Sequence, residues 1–231
     1  MNTIDKPKFF TKVVYKAAAQ IERMIAKIRR FRKVVPMPRP RHIQGYAIVS
    51  EDGMIANAAG IMPDSLKFAA DQRFFERGLD GVDVVVHGRH SHERQPCSHW
   101  RRRLILTRQV PAVATDPSDA KAVLWNPAGA SFEQALTLLR APDGSVGVIG
   151  GTDVFGMFLD RYDVFHLSRA PDARLPGGRP VFPGVPARTP EEVLASHRLD
   201  RGQRQLLDPA TGLAIVSWHR SSKPADKIAG V

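Results

Sequence analysis

Only one cysteine, Cys97, occurs in the 231 residues, so no disulfide can form within the chain. A lone thiol fits a reducing compartment such as the cytoplasm. Long apolar runs are also missing, and none is long enough to span a bilayer. The first residues carry charges without an apolar stretch and a small-residue cleavage site, so they do not read as a secretory signal. There are no internal repeats. Acids are scarce in one place. Residues 1–42 hold twelve of the 34 Lys and Arg but only two of the 23 Asp and Glu. The net charge of +11 therefore belongs almost wholly to this leader, and the rest of the chain is close to neutral. A basic protein invites a nucleic-acid reading. Here that reading applies to the leader alone.

Within the leader, Val13, Val14, Ala17, Ile21, Met24, Ile25 and Ile28 recur at three- and four-residue spacing between lysines and arginines, which predicts a basic helix. Pro36-Met37-Pro38-Arg39-Pro40 cannot continue it and reads as a linker. The expected organisation is a leader over 1–42, a body over 43–220 and a polar tail over 221–231.

The body alternates strand and helix. Strands are expected at Gln44–Ser50, Val82–His87, Leu104–Thr107, Val146–Ile149, Val164–Ser168 and Leu213–Arg220. Helices are expected at Ser65–Arg77, Phe132–Leu139 and Thr152–Leu159. Alternating βαβ units predict an α/β sheet whose ligands gather at strand carboxyl ends.

Three strand ends carry chemistry. Val148-Ile149-Gly150-Gly151-Thr152-Asp153-Val154-Phe155 runs from a β-branched strand through two glycines into a helix, a turn that lets backbone approach a pyrophosphate. The same pattern also serves as a tight connection with no ligand. Gly88-Arg89-His90-Ser91 follows the strand ending at His87, and Arg89 with Ser91 suits a phosphate. Arg101-Arg102-Arg103-Leu104-Ile105-Leu106-Thr107-Arg108 has a basic entry and a polar exit. Each also reads as a solvated loop or strand entrance. Histidines 87, 90, 92 and 99 have no zinc-ligand spacing, so no metal is expected. Cys97 in a basic polar loop reads as incidental rather than nucleophilic.

Taken together and in order, these motifs resemble the dihydrofolate reductase family and the related reductase domain of riboflavin biosynthesis. Ala47 with Asp52-Gly53-Met54-Ile55-Ala56, Phe165-His166-Leu167-Ser168 and Val181-Phe182-Pro183 complete the match. The resemblance implies an α/β three-layer sandwich around a mixed eight-stranded sheet, with NADPH along the strand ends. It implies a pterin or pyrimidine substrate and relatives that often form homodimers. Carried over, Ala47 and Ile55 lie beside the nicotinamide, and Arg89, Ser91, Thr107 and Arg108 around the adenosine phosphate. Gly88, Ile149, Gly150, Gly151, Thr152 and Phe155 surround the pyrophosphate turn. Ser168 replaces a threonine that acts through the catalytic carboxylate, and Arg101 has the spacing of the arginine that grips the folate tail.

In that family a carboxylate starts a helix with an aromatic four residues on. Asp64 and Phe68 have this spacing, which makes Asp64 the candidate catalytic acid and Phe68 a substrate contact. Asp64 reads equally as a helix N-cap. The loop from Ile55 to Asp64 is short and lacks the family's tryptophan, and Phe155 stands where many relatives have tyrosine. The expected activity is NADPH-dependent reduction of dihydrofolate in one-carbon metabolism. The alternative is 5-amino-6-(5-phosphoribosylamino)uracil reduction in the riboflavin pathway, without a deaminase zinc motif. A third reading is a DNA-binding protein acting through the basic helix. The leader itself resembles the end of an insertion-sequence transposase through Tyr15, Glu22 and Arg29, although Ala18 replaces an expected arginine. Glu22 alone cannot assemble two-metal chemistry. Residual attraction of residues 9–34 to nucleic acid would be weak and salt-sensitive.

Overall fold

The computed structural model describes residue 40 and residues 42–90 and 100–222. The basic helix, the transposase-like stretch, Ser91 and Cys97 lie outside the described residues, as does most of the polar tail.

Among the described residues, eleven strands and four α-helices follow one another between Ile43 and Arg220. Nine strands form one mixed sheet. The β1 strand (Ile43–Val49) lies near its centre, between β7 (Val146–Val148) and β8 (Val164–Arg169), and is parallel to both. Beyond β7 come β3 (Val84–Gly88), β4 (Arg102–Leu106) and β6 (Asp119–Trp125), all parallel. β5 (Val113–Asp116) closes that side as an antiparallel edge. Beyond β8 the antiparallel pair β11 (Leu213–Arg220) and β10 (Leu199–Asp208) forms the other edge. A separate ribbon pairs β2 (Met54–Ala56) with β9 (Arg179–Pro180).

The sheet is buried on both faces, which explains the apolar runs in its central strands. On one face, α1 (Ala69–Asp80) covers Tyr46 and Val85 through Phe74, Phe75 and Leu79. On the other, α2 (Phe132–Leu138), α3 (Thr152–Met157) and α4 (Pro190–Ser196) supply Phe132, Leu136, Phe155, Val193 and Leu194 to the main core. This makes three layers, as expected.

Several expectations shift. The sheet has nine strands rather than eight. The helix expected from Ser65 begins at Ala69, because Phe68 is extended (φ −116°, ψ 127°) and interrupts it. Asp64–Leu66 forms only a short 3-10 turn before that break. The helix expected to reach Leu159 ends at Met157. Five strands and one helix were not foreseen, among them β10 and α4. The α4 helix carries a reciprocal capping box between Thr189 and Glu192 with Pro190 in its first turn, a signature that was present to be read.

Candidate active site

The carboxyl ends of the central strands build a rim from the three motifs. The amide of Ile149 donates to Val86 O (3.0 Å), and that of Gly88 donates to Gly150 O (2.8 Å). The Gly150-Gly151 turn is thereby fastened to the end of β3. The amide of Arg89 donates to Leu106 O (3.1 Å), which fastens β3's exit to that of β4. Gly150, Gly151, Gly88, Arg89, Thr107 and Arg108 thus lie along one edge. Arg89 and Arg108 are exposed there. Thr107 is buried, and its hydroxyl accepts from the amide of Gln109 (3.1 Å).

Two residues expected to touch cofactor are engaged in holding the turn. Phe155 is 2% exposed and packs edge-on against Phe165 and Phe182. Its ring lies where a side chain on Gly150 would go. The hydroxyl of Thr152 donates to Pro180 O, which ties the turn to β9. Ala47 and Ile55 are half-buried against the main core, and Ile149 faces the α1 side with Tyr46.

Asp64 does not occupy a buried acid's position. Its side chain is 94% exposed and paired with Lys67 Nζ at 2.7 Å. The hydrogen bond and charge of Lys67 hold its carboxyl below the usual range. Nor does it cap α1, whose N-cap is Phe68. The carboxyl with the expected properties is Asp71, in the first turn of α1. Burial pushes its pKa up, against a smaller opposing effect from the hydroxyl of Ser168. Ser168 is 1% exposed, and its Oγ has no well-formed hydrogen bond, so the two groups face each other without closing one. Asp71 also precedes an aromatic, Phe75, by four residues, so the signal that selected Asp64 was present twice.

The strand register leaves part of β1 unpaired beside this pair. β7 pairs with β1 only as far as Gly45, opposite Val148, while β1 and β8 continue through Ile48, opposite Ser168. Three residues at about 3.3 Å each leave roughly 10 Å of β1 without a backbone partner on the β7 side. Phe68 packs near Ile48 and Leu66.

Beneath Ser168 on the same face, His166 stacks on Tyr46 (centroids 4.8 Å apart) and meets Ser217 Oγ at 2.9 Å. Burial, and then the nearby His219 and His42, pull its pKa from 6.5 down to about 4. It is a neutral imidazole near pH 7. Its folded pKa is depressed, so stability should fall as pH drops from about 6.5 toward 4. Thermal unfolding across that range should show the loss, and His166→Asn should flatten it.

Arg101 lies at the opposite end of α1 from Asp71. Its side chain is 8% exposed and pairs with Asp80 at 2.5 Å. Asp80 is nine residues after Asp71, so about 13 Å of helix separates the two ends. Among the described residues no group of three or more His, Cys, Asp or Glu has metal-binding geometry. Nor is any described helix long and apolar enough to cross a membrane.

This sheet order, with helices on both faces and a glycine turn at the carboxyl edge, defines a dihydrofolate reductase-like α/β sandwich. No family model matches the sequence, and no curated protein does. Solved structures do. A riboflavin biosynthesis protein from Shewanella sp. PV-4 aligns with TM-score 0.54 and 20% identity, over 78% of this chain and 99% of its own. Dihydrofolate reductase from Enterococcus faecalis, complexed with NADP(H) and RAB-propyl, aligns with TM-score 0.53 and 16% identity, over 79% and 98%. A diaminohydroxyphosphoribosylaminopyrimidine deaminase/5-amino-6-(5-phosphoribosylamino)uracil reductase from Thermotoga maritima aligns with TM-score 0.52 and 19% identity. That match covers 79% of this chain but 57% of the Thermotoga protein. At these identities the likeness is one of fold.

Proposed function

We propose that the chain is an NADPH-dependent reductase that delivers hydride to a pterin or pyrimidine-linked substrate beside Asp71. The carrying observation is the half-buried carboxyl of Asp71, its pKa raised, facing Ser168 at the sheet edge that holds the Gly150-Gly151 turn. Hydride addition to a C=N bond needs a proton at nitrogen, and a carboxyl that burial makes hold its proton more tightly than usual can supply or relay it. NADPH, when bound, supplies the hydride. Gly88, Arg89, Thr107, Arg108, Gly150 and Gly151 would hold it, and Ala47 and Ile55 would flank its nicotinamide. Ser91 would join the phosphate grip. Thr152 and Phe155 act in this proposal by shaping the turn. Asp71 replaces Asp64 as the proton-handling residue.

Two substrates fit this chemistry. Dihydrofolate needs a cation for its tail, and Arg101 stands at a fitting distance along α1. Its pairing with Asp80 means a substrate carboxylate would have to share it. 5-Amino-6-(5-phosphoribosylamino)uracil makes no demand on Arg101. The test is NADPH oxidation with each compound, for the natural chain and for Arg101→Met. A rise of about tenfold or more in KM for dihydrofolate, with kcat kept, would identify the folate reading. Turnover of the pyrimidine alone, unaffected by the substitution, would identify the other. Failure to oxidise NADPH with either would sink both. The basic leader adds a DNA-binding reading, checked by salt-dependent binding with and without residues 1–42.

A further inference from the structure

The β2–β9 ribbon, which is tied to the residue after the glycine turn, carries an arginine that no motif anticipated. The carbonyl of Pro180 accepts from Thr152, the residue directly after the glycine pair. The amide of Val181 donates to Gly53 O at 3.0 Å, so the strand is fixed on both sides of Pro180. Arg179 is the next residue outward, opposite Ala56 in the ribbon. It is exposed.

Its guanidinium lies against the loop that follows β2. Gly60 sits there at φ +79°, and a Cβ on it would come 2.7 Å from Arg179 Nε. Only a residue without a side chain leaves this position to the guanidinium. Asn57 holds the loop in shape. Its Oδ1 accepts from the amide of Ile61 (3.0 Å), and its carbonyl from Gly60 (2.9 Å).

The charge of Arg179 is unmet. Arg101, Arg103, Arg161, Arg169 and Arg174 each pair with a carboxylate. Among the described residues the Arg179 side chain makes neither an ion pair nor a hydrogen bond. A long side chain laid over Gly60, one residue from the carbonyl that ties the ribbon to the Gly150-Gly151 turn, and with its donors unused, can receive an incoming ligand. The planar fork of a guanidinium matches phosphate oxygens.

We infer that Arg179 is a phosphate-binding residue of this site, held ready by Gly60 and presented by the ribbon that Thr152 ties to the turn. The inference rests on the proposed reductase reading. The phosphate has two sources, the diphosphate of the dinucleotide or a phosphate carried by the substrate.

The experiment compares the full chain with Arg179→Gln, Arg179→Lys and, as a charge control on the far edge strand, Arg201→Gln. NADPH affinity is read by fluorescence titration. KM is read for 5-amino-6-(5-phosphoribosylamino)uracil and for its dephosphorylated form. Loss of one charge-assisted contact should weaken the affected ligand about tenfold or more. A weaker NADPH affinity in Arg179→Gln, partly restored in Arg179→Lys and unchanged in Arg201→Gln, places the residue on the cofactor. Unchanged NADPH affinity, with a raised KM for the phosphorylated compound alone, places it on the substrate. Gly60→Ala should repeat whichever loss is seen. If the natural chain binds NADPH and Arg179→Gln matches it within about twofold for every ligand, Arg179 has no such role. If the natural chain binds no NADPH, the reductase reading fails and the role of Arg179 goes with it.

Discussion

Replacing Asp71 with asparagine is expected to lower turnover by about a hundredfold or more near neutral pH, the usual span for a lost acid–base group. NADPH affinity should stay within about twofold, since asparagine keeps the shape and removes only the titrating proton. Asp64→Asn should leave turnover unchanged, because that side chain is 94% exposed and answers only to Lys67. The pair of variants separates two carboxylates that have the same spacing to a following aromatic. Full turnover in Asp71→Asn would remove Asp71 from the chemistry.

Acidity gives a second readout on the same variant. Burial raises the pKa of Asp71 in the folded chain, so the folded state holds that proton more tightly than the unfolded state. The associated stability is fully present below the unfolded pKa and is lost as pH rises through the folded pKa. Near neutral pH the natural chain therefore carries a disfavoured charge that asparagine lacks. Asp71→Asn should raise the thermal midpoint while it lowers activity, a trade expected where a site is built against stability. If the protonated carboxyl is the reactive form, kcat in the natural chain falls as pH climbs through the raised pKa. That limb should vanish in the variant.

What could be read from the sequence followed the physics of each element. β11 was foreseen to its last residue, and the other foreseen strands to within two residues at either end, because they are apolar runs buried on both faces. The three strand-end motifs were read as neighbours, and the amide bonds from Gly88 and Arg89 bring them together. β10 was invisible because Arg201-Gly202-Gln203-Arg204-Gln205 lies exposed along an edge and has no apolar alternation. β6 opens with Asp-Ala-Lys-Ala, weak strand formers, and its place depends on distant partners. Asp119 meets Arg103, and Trp125 packs on Phe132. Spacing cannot report burial, so it could not separate the exposed Asp64 from the half-buried Asp71. Asp64 and Asp71 both precede an aromatic by four residues, and only the break at Phe68 decides which of them the long helix carries. Arg179 has no local signature, since its significance comes from Gly60 and Thr152, which lie far away in sequence.

Gly150→Ala is expected to damage both fold and binding. Gly150 has φ +107°, a conformation L side chains rarely adopt, and its Cβ would fall 2.9 Å from the ring of Phe155. Forcing a side chain into such a backbone region costs on the order of 1–3 kcal/mol. The overlap adds to this, because Phe155 cannot retreat. Phe165 and Phe182 hold it edge-on at 5.5 Å and 6.2 Å between centroids. For a body of this size each kcal/mol corresponds to about 2–4 °C in Tm, so a fall of several degrees should be measurable by calorimetry. The conformational cost has a partial escape, in which the turn itself moves. That movement would carry Gly150 O away from the amide of Gly88 and loosen the joint between β3 and β7. Either way NADPH affinity should fall, by about tenfold or more if the turn contacts the diphosphate. A variant that loses Tm yet binds NADPH as the natural chain does would show that the turn is structural only. The dinucleotide would then have to be held by the rim at Arg89 and Arg108 alone.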